Sequence, residues 1–209
     1  MEKLKTIENN AMVEVEEKRS KFIANIFHIE KVEEAENIIK QTKKKYYDAR
    51  HNCYAYIVKE YNIVKKESDD GEPSGTAGSP ILNVLEKNNL CNVIVIVTRY
   101  FGGILLGTGG LVRAYTEAAA KAVEAANIVE EEEGYEIEIL ISYPEMEKFK
   151  YYCNKNKIKI VEMQYQENVI CKIEVTEEEK ERLFNNDKQE ERTIDILEFK
   201  LIKKKNIKK

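Results

Sequence analysis

Two stretches of the chain carry the residue types from which a site can be built. The first, Ser68-Asp69-Asp70-Gly71-Glu72-Pro73-Ser74-Gly75-Thr76-Ala77-Gly78-Ser79-Pro80, packs carboxylates, hydroxyls, glycines and prolines into one short polar segment. Turn residues of these types hold a loop open with its backbone groups outward. Asp69, Asp70 and Glu72, with Ser74 and Thr76 beside them, read either as oxygen ligands for Mg2+ and general acid/base groups, or as solvated groups on a rigid turn. The spacing is not that of an EF-hand.

The second stretch is Arg99-Tyr100-Phe101-Gly102-Gly103-Ile104-Leu105-Leu106-Gly107-Thr108-Gly109-Gly110-Leu111-Val112-Arg113. A glycine-rich turn that opens a helix offers free N–H groups and the positive end of the helix dipole, which suits an anion. Arg99 at the strand end and Arg113 in the first helical turn would add bidentate charge. Gly102, Gly103, Gly107, Thr108, Gly109 and Gly110 supply the amides, and Tyr100 and His51 are further ligand contacts. The stretch is neither a Walker loop, since its lysine is missing, nor a clean GxGxxG. The glycines also serve packing in the ordinary way.

His51 and Cys53 invite a nucleophile reading, but residues two apart on a strand have Cα atoms about 6.6 Å apart, too far for a ready hydrogen bond. Cys53 reads as structural. Tyr46, Tyr47, Tyr54, Tyr56 and Tyr100 are able to stack on bases, or to sit half-buried in strands and helices. The four cysteines are scattered without a CxxC and there are two histidines, which argues against zinc.

The elements that must position these residues follow from periodicity. A strand is predicted over 19–27, a helix over 31–45 with an acidic start and a basic end, and a strand over 53–58. A short helix follows at 80–86. Residues 92–98 are apolar without alternation and β-branched, the mark of a strand buried on both faces. A helix at 111–126 has an apolar stripe through Leu111, Tyr115, Ala118, Ala122 and Ala126. The acidic run Glu130–Glu133 with Gly134 marks a boundary between a domain at 1–130 and one at 131–209. Beyond it the predicted order is strand 135–142, helix 144–156, strands 158–164 and 168–175, helix 177–185 and strand 193–202. This is a ferredoxin-like βαββαβ plait, giving an α+β protein overall. The lysine-rich end, 203–209, reads as a solvated tail.

Of 209 residues, 43% are hydrophobic and 34% charged, and the net charge is −4. Residues 1–130 hold 18 Lys/Arg against 19 Asp/Glu, leaving 16 against 19 for the remainder. Neither half is drawn as a whole to nucleic acid or an anionic membrane, so any RNA contact must be a local basic patch. No signal peptide or spanning segment is evident, and the expected location is the cytoplasm.

Three blocks in order resemble the IMPACT/YigZ family: Ala49-Arg50-His51-Asn52-Cys53-Tyr54-Ala55-Tyr56, the acidic loop from Ser68 to Gly78, and Val97 to Gly103 with Leu106 to Tyr115. Ser20-Lys21-Phe22-Ile23-Ala24 fits the family's opening strand. The resemblance implies a first domain like the second domain of ribosomal protein S five, domain IV of elongation factor G and the GHMP kinases. It also implies that the second domain is a plait similar to one in elongation factor G. Eukaryotic members act as translational regulators through a partner of a stress-response kinase, whereas the two-domain layout looks bacterial. The expectation is a non-enzymatic protein, associated with RNA or the ribosome and possessing no resident cofactor beyond an optional Mg2+. A protein partner is compatible, and DNA and membrane are not expected. The alternative is a small-molecule phosphoryl-transfer or hydrolytic enzyme using the acidic cluster and the anion loop.

Overall fold

The computed structural model describes residues 4–184 and 194–208. The chain divides into two compact units, one spanning Leu4–Glu130 and the other containing the chain from Glu131 onward.

The first unit contains strands β1 (Leu4–Ile7), β2 (Ala11–Glu17) and β3 (Ser20–His28), then helix α1 (Val32–Lys45). Strands β4 (His51–Lys59) and β5 (Ile63–Ser68), helix α2 (Gly78–Lys87), strand β6 (Val93–Tyr100) and helix α3 (Gly107–Ala126) follow. The sheet order is β2-β3-β6-β4-β5, with every pairing antiparallel. The unbroken apolar run of β6 is explained by its central place, because helices cover both faces. Cys53, Ala55, Val93, Val95 and Val97 pack into one core with residues of α2 and α3. Tyr54, Tyr56, Ile94 and Ile96 pack into a second core with Ala35 and Ile39 of α1. Tyr54 and Tyr56 are therefore interior residues with no face for a base.

Helix α1 has acidic residues in its first turn and lysines in its last, as its sequence predicts. Helices α2 and α3 both start earlier than periodicity suggests. Their first turns are built from glycine, serine and threonine, which carry no apolar signal. The strands β1, β2 and β5 are additions to the expected order. β2 alternates exposed glutamates with valines and closes a tight hairpin with β3 through Lys18 and Arg19, both at positive φ.

Strand β7 (Ile128–Ile141) carries the chain from the first unit into the second, so the acidic run read as a boundary is itself strand. There follow α4 (Met146–Lys155), β8 (Lys159–Tyr165), β9 (Val169–Thr176), α5 (Glu177–Phe184) and β10 (Ile196–Lys208). Within this unit the antiparallel order is β10-β7-β9-β8. Helix α5 starts with a reciprocal cap: the Thr176 N–H donates to Glu179 Oε2 at 2.9 Å and the Glu179 N–H to Thr176 Oγ1 at 3.3 Å. The expected helix end at Asn185 and strand start at Thr193 lie outside the described residues. The lysine-rich end is not a free tail through Lys208: it is the second half of β10, with Lys205 on Glu174 at 2.5 Å and Lys203 on Glu136 at 3.5 Å. No helix among the described residues is long and apolar enough to cross a membrane.

Candidate functional site

Strand register brings the chemistry-bearing residues to one end of the first sheet. His51 and Phe22 both lie opposite Arg99, so all three project from the same face, and Cys53 follows two residues along. The segment between β5 and α2 folds over this end. His51 Nδ1 lies 2.9 Å from the Asp70 carbonyl, to which it must donate, and the Cys53 thiol donates to the Asp69 carbonyl at 2.9 Å. Histidine and cysteine are each committed to this segment rather than to one another. Burial pushes the Cys53 thiol up to about 12, so it holds its proton.

The three carboxylates of the acidic loop face inward. Asp69 accepts N–H bonds from Gly75 at 2.8 Å, Ala77 at 2.9 Å and Gly78 at 2.8 Å, and so caps α2 from across the loop. Partial burial pushes its pKa up, but these backbone bonds outweigh that and hold the carboxyl below its usual range. Asp70 binds the Asn52 N–H at 2.7 Å through one oxygen and Lys43 at 2.5 Å through the other. Glu72 is buried, with 3% of its side chain exposed, and its Oε1 accepts from Arg99 Nη1 at 2.7 Å and from the Tyr115 hydroxyl at 2.9 Å. Thr76 is buried and its hydroxyl donates to the Pro73 carbonyl at 2.6 Å, while Ser74 is exposed. The loop is thus a structural clasp. Each carboxylate expected to be a metal ligand or general base is already engaged, and among the described residues no group of three or more His, Cys, Asp or Glu side chains is gathered for a metal.

Arg99 departs from the expectation of an outward phosphate holder. Only 8% of its side chain is exposed, its guanidinium carbon lies 5.6 Å from the ring centres of both Phe22 and Phe101, and Glu72 neutralises it. Its Nε has no partner among the described residues. The buried arginine supports the loop from beneath.

The glycine-rich segment itself is on the surface. Gly102 is pressed against the β2–β3 hairpin, where a Cβ would lie 2.0 Å from the Arg19 carbonyl, and its N–H donates to Ser20 Oγ at 3.1 Å. Gly107 opens α3 at φ +70°, which a glycine adopts without strain. Thr108, Gly109 and Gly110 then form the first turn, and Arg113 lies in the second turn rather than the first. Among the described residues no side-chain bond caps this helix at Leu106 and no acid lies in its first turn, so the amide end stays electropositive. Tyr100 donates from its hydroxyl to Asp48 at 2.7 Å.

All four arginines of the first unit collect at this end. Arg99 is inside, and Arg19, Arg50 and Arg113 are exposed, with no ion pair among the described residues. Lys44 and Lys45, at the end of α1, are exposed on the same side, to which Lys43 is fixed by Asp70. Glu16 and Glu17, at the end of β2, and Asp48, which accepts from Tyr100, are nearby acids outside the clasp. Phe101, Ile104 and Leu105 expose large apolar surface between the arginines. Arg19 and Phe101 carry no role on sequence reasoning alone. The signal for Arg19 was in reach, since a hairpin closing on Ser20 must return it beside the end of β6.

The chain is similar to known sequences. The Impact N-terminal domain matches residues 18–123, and a domain of unknown function, DUF1949, matches residues 139–184. The IMPACT family member YvyE of Bacillus subtilis is 36% identical over 174 residues, covering 83% of this chain and 80% of that protein. The IMPACT family member YigZ of Escherichia coli is 33% identical over 158 residues, covering 75% and 78%. Among solved structures, one described as a hypothetical protein superposes with a TM-score of 0.62 at 28% identity, over 94% of this chain and 97% of the other. With its first unit matched by the Impact N-terminal domain and most of its length shared with these relatives, the chain belongs to the IMPACT family.

Proposed function

We propose that the chain is a non-enzymatic binding protein that engages RNA, free or on the ribosome, and thereby acts in regulating translation in the cytoplasm. One observation carries this reading: Arg19, Arg50 and Arg113 stand exposed, without an ion pair among the described residues, around a glycine-rich loop beside which Asp69 and Glu72 of the acidic loop are turned inward and Asp70 is held by Lys43. A chain of net charge −4 thereby holds a local cationic surface, and phosphate oxygens are the ligand that arginines and uncapped helix amides share. Asp69, Asp70 and Glu72 turn inward onto backbone N–H groups, Lys43 and Arg99, which weakens their repulsion of a phosphate at this surface, and the reading calls for no Mg2+ to bridge them.

The family resemblance adds the translational setting. In it, the first unit is similar to the second domain of ribosomal protein S five and to domain IV of elongation factor G. We read the second unit, from its β10-β7-β9-β8 order, as a ferredoxin-like plait. An enzymatic reading would need Asp69, Asp70 or Glu72 free to take a proton or a metal, and each is occupied. Co-sedimentation with small ribosomal subunits and titration of a labelled RNA test the proposal. Arg113→Ala is expected to weaken both several-fold, and a wild-type protein that binds neither would refute it.

A further inference from the structure

Phe101 is a large, half-exposed aromatic that neither the clasp nor the amide loop requires, and it is held with unusual care. Its backbone follows directly from the end of β6, and the next residue, Gly102, is locked to the β2–β3 hairpin by its N–H bond to Ser20 and by contact with the Arg19 backbone. The Arg99 guanidinium lies over the Phe101 ring at 5.6 Å, within cation–π range. That arginine is fixed in turn by Glu72 at 2.7 Å, and Glu72 by Tyr115 at 2.9 Å. Tyr115 meets Phe22 edge-on, with centroids 5.2 Å apart at 87°, and Arg99 also covers Phe22 at 5.6 Å. A buried ion pair therefore backs one side of an aromatic ring that keeps 53% of its surface exposed.

An exposed ring normally gains nothing from being held still. A ring that receives another flat group does gain, because its ordering cost has been met before the partner arrives. Exposed Arg19 lies alongside, and a Cβ at Gly103 would meet nothing within 4 Å, so a chain can approach the backbone closely there. Flat apolar surface, adjoining cationic groups and an approachable backbone together describe a nucleotide with its phosphate. A base inside a duplex is stacked on its neighbours and cannot reach the ring, whereas single strands, loops and ends offer free base faces.

We infer that Phe101 is a base-stacking platform, so that the RNA this surface takes is unpaired. The inference rests on the RNA reading above and narrows its ligand to single-stranded segments. The contact reads no sequence, because every base has a π-face.

The test compares wild-type protein with Phe101→Ala, Phe101→Leu and Phe101→Trp. Each is titrated with a single-stranded RNA carrying 2-aminopurine and with a duplex RNA of equal length, after urea midpoints verify folding. Wild type and Phe101→Trp are expected to bind the single strand alike and to quench 2-aminopurine. Phe101→Ala and Phe101→Leu are expected to bind it about tenfold more weakly without quenching, with duplex affinity unchanged in all four. Single-strand affinity and quenching retained by Phe101→Leu would overturn the platform, since leucine keeps apolar area without a π-face. Equal salt-sensitive affinity in all four proteins would overturn it while sparing the RNA reading. Absence of any RNA affinity in the wild type would overturn both.

Discussion

Glu72 and Arg99 meet at 2.7 Å in the interior of the first unit, with 3% and 8% of their side chains exposed. One comes from the acidic loop and the other from the end of β6, so this ion pair is the strut that joins the two halves of the candidate surface. It also separates the arginines by role: one supports, while three face the solvent.

Breaking the strut leaves an uncompensated buried charge. Arg99→Met or Glu72→Gln alone is expected to cost roughly 3–5 kcal/mol in urea unfolding. The double substitution is expected to recover much of that loss, giving a large coupling energy in a double-mutant cycle. Additive losses would show that the two residues act independently. A phosphate-holding Arg99 would instead lower RNA affinity while leaving stability unchanged.

Asp69 accepts three backbone N–H bonds, from Gly75 in the loop and from Ala77 and Gly78 at the start of α2, and its substitution by alanine is expected to cost about 1–2 kcal/mol at neutral pH. The sign of the pH effect follows from its folded pKa lying below the ordinary 3.8. The contribution is complete above 3.8, where the unfolded carboxylate is also ionised, and is lost as pH falls through the lower folded value. Urea midpoints of wild type and Asp69→Asn should therefore converge below pH 3.8. A gap that keeps its full size into strong acid would argue against the cap.

Gly102 has no room for a side chain, since a Cβ would lie 2.0 Å from the Arg19 backbone. Gly102→Ala is expected to lower stability by about 1–3 kcal/mol, as overpacking does. Gly109→Ala, in the first turn of α3 with nothing within 4 Å, should leave stability unchanged or raise it by a fraction of a kcal/mol. Thermal melts of the two variants check the contrast, and equal losses would contradict the close packing.

The four cysteines are buried. Burial pushes Cys53 and Cys153 up to about 12 and Cys171 up to about 11. A thiol-specific disulfide reagent at mildly alkaline pH is expected to label none of them quickly in the folded protein and all four in denaturant. Rapid labelling of Cys53 in the native state would revive the nucleophile reading.

The main helices, the buried strand β6 and the order of elements in the second unit were legible because apolar periodicity is written in single residues. The first turns of α2 and α3 were not, because glycine, serine and threonine carry no such period and are helical there through tertiary contact. The strand character of Glu130–Gly134 and of the terminal lysines was hidden for a related reason. Their charges suggest solvation when read along the chain, and become a ladder only when β10 lies beside β7. At the site, residue types single out both loops and make Arg113 a candidate. Partnership was out of reach: nothing in the spacing of Glu72 and Arg99 says that they neutralise each other, or that Asp69 folds back onto Ala77 and Gly78. The inward turn of the acids is a property of the fold.

The salt dependence of RNA affinity tests the central claim most directly. The wild-type protein should bind a labelled single-stranded RNA with log K falling linearly in log salt, by several units of slope. Arg19→Ala, Arg50→Ala and Arg113→Ala combined should flatten that slope by about 2, at roughly 0.7 for each phosphate no longer neutralised. A triple variant with unchanged affinity and slope would contradict the account, because the exposed arginines would then be no part of the surface that meets RNA.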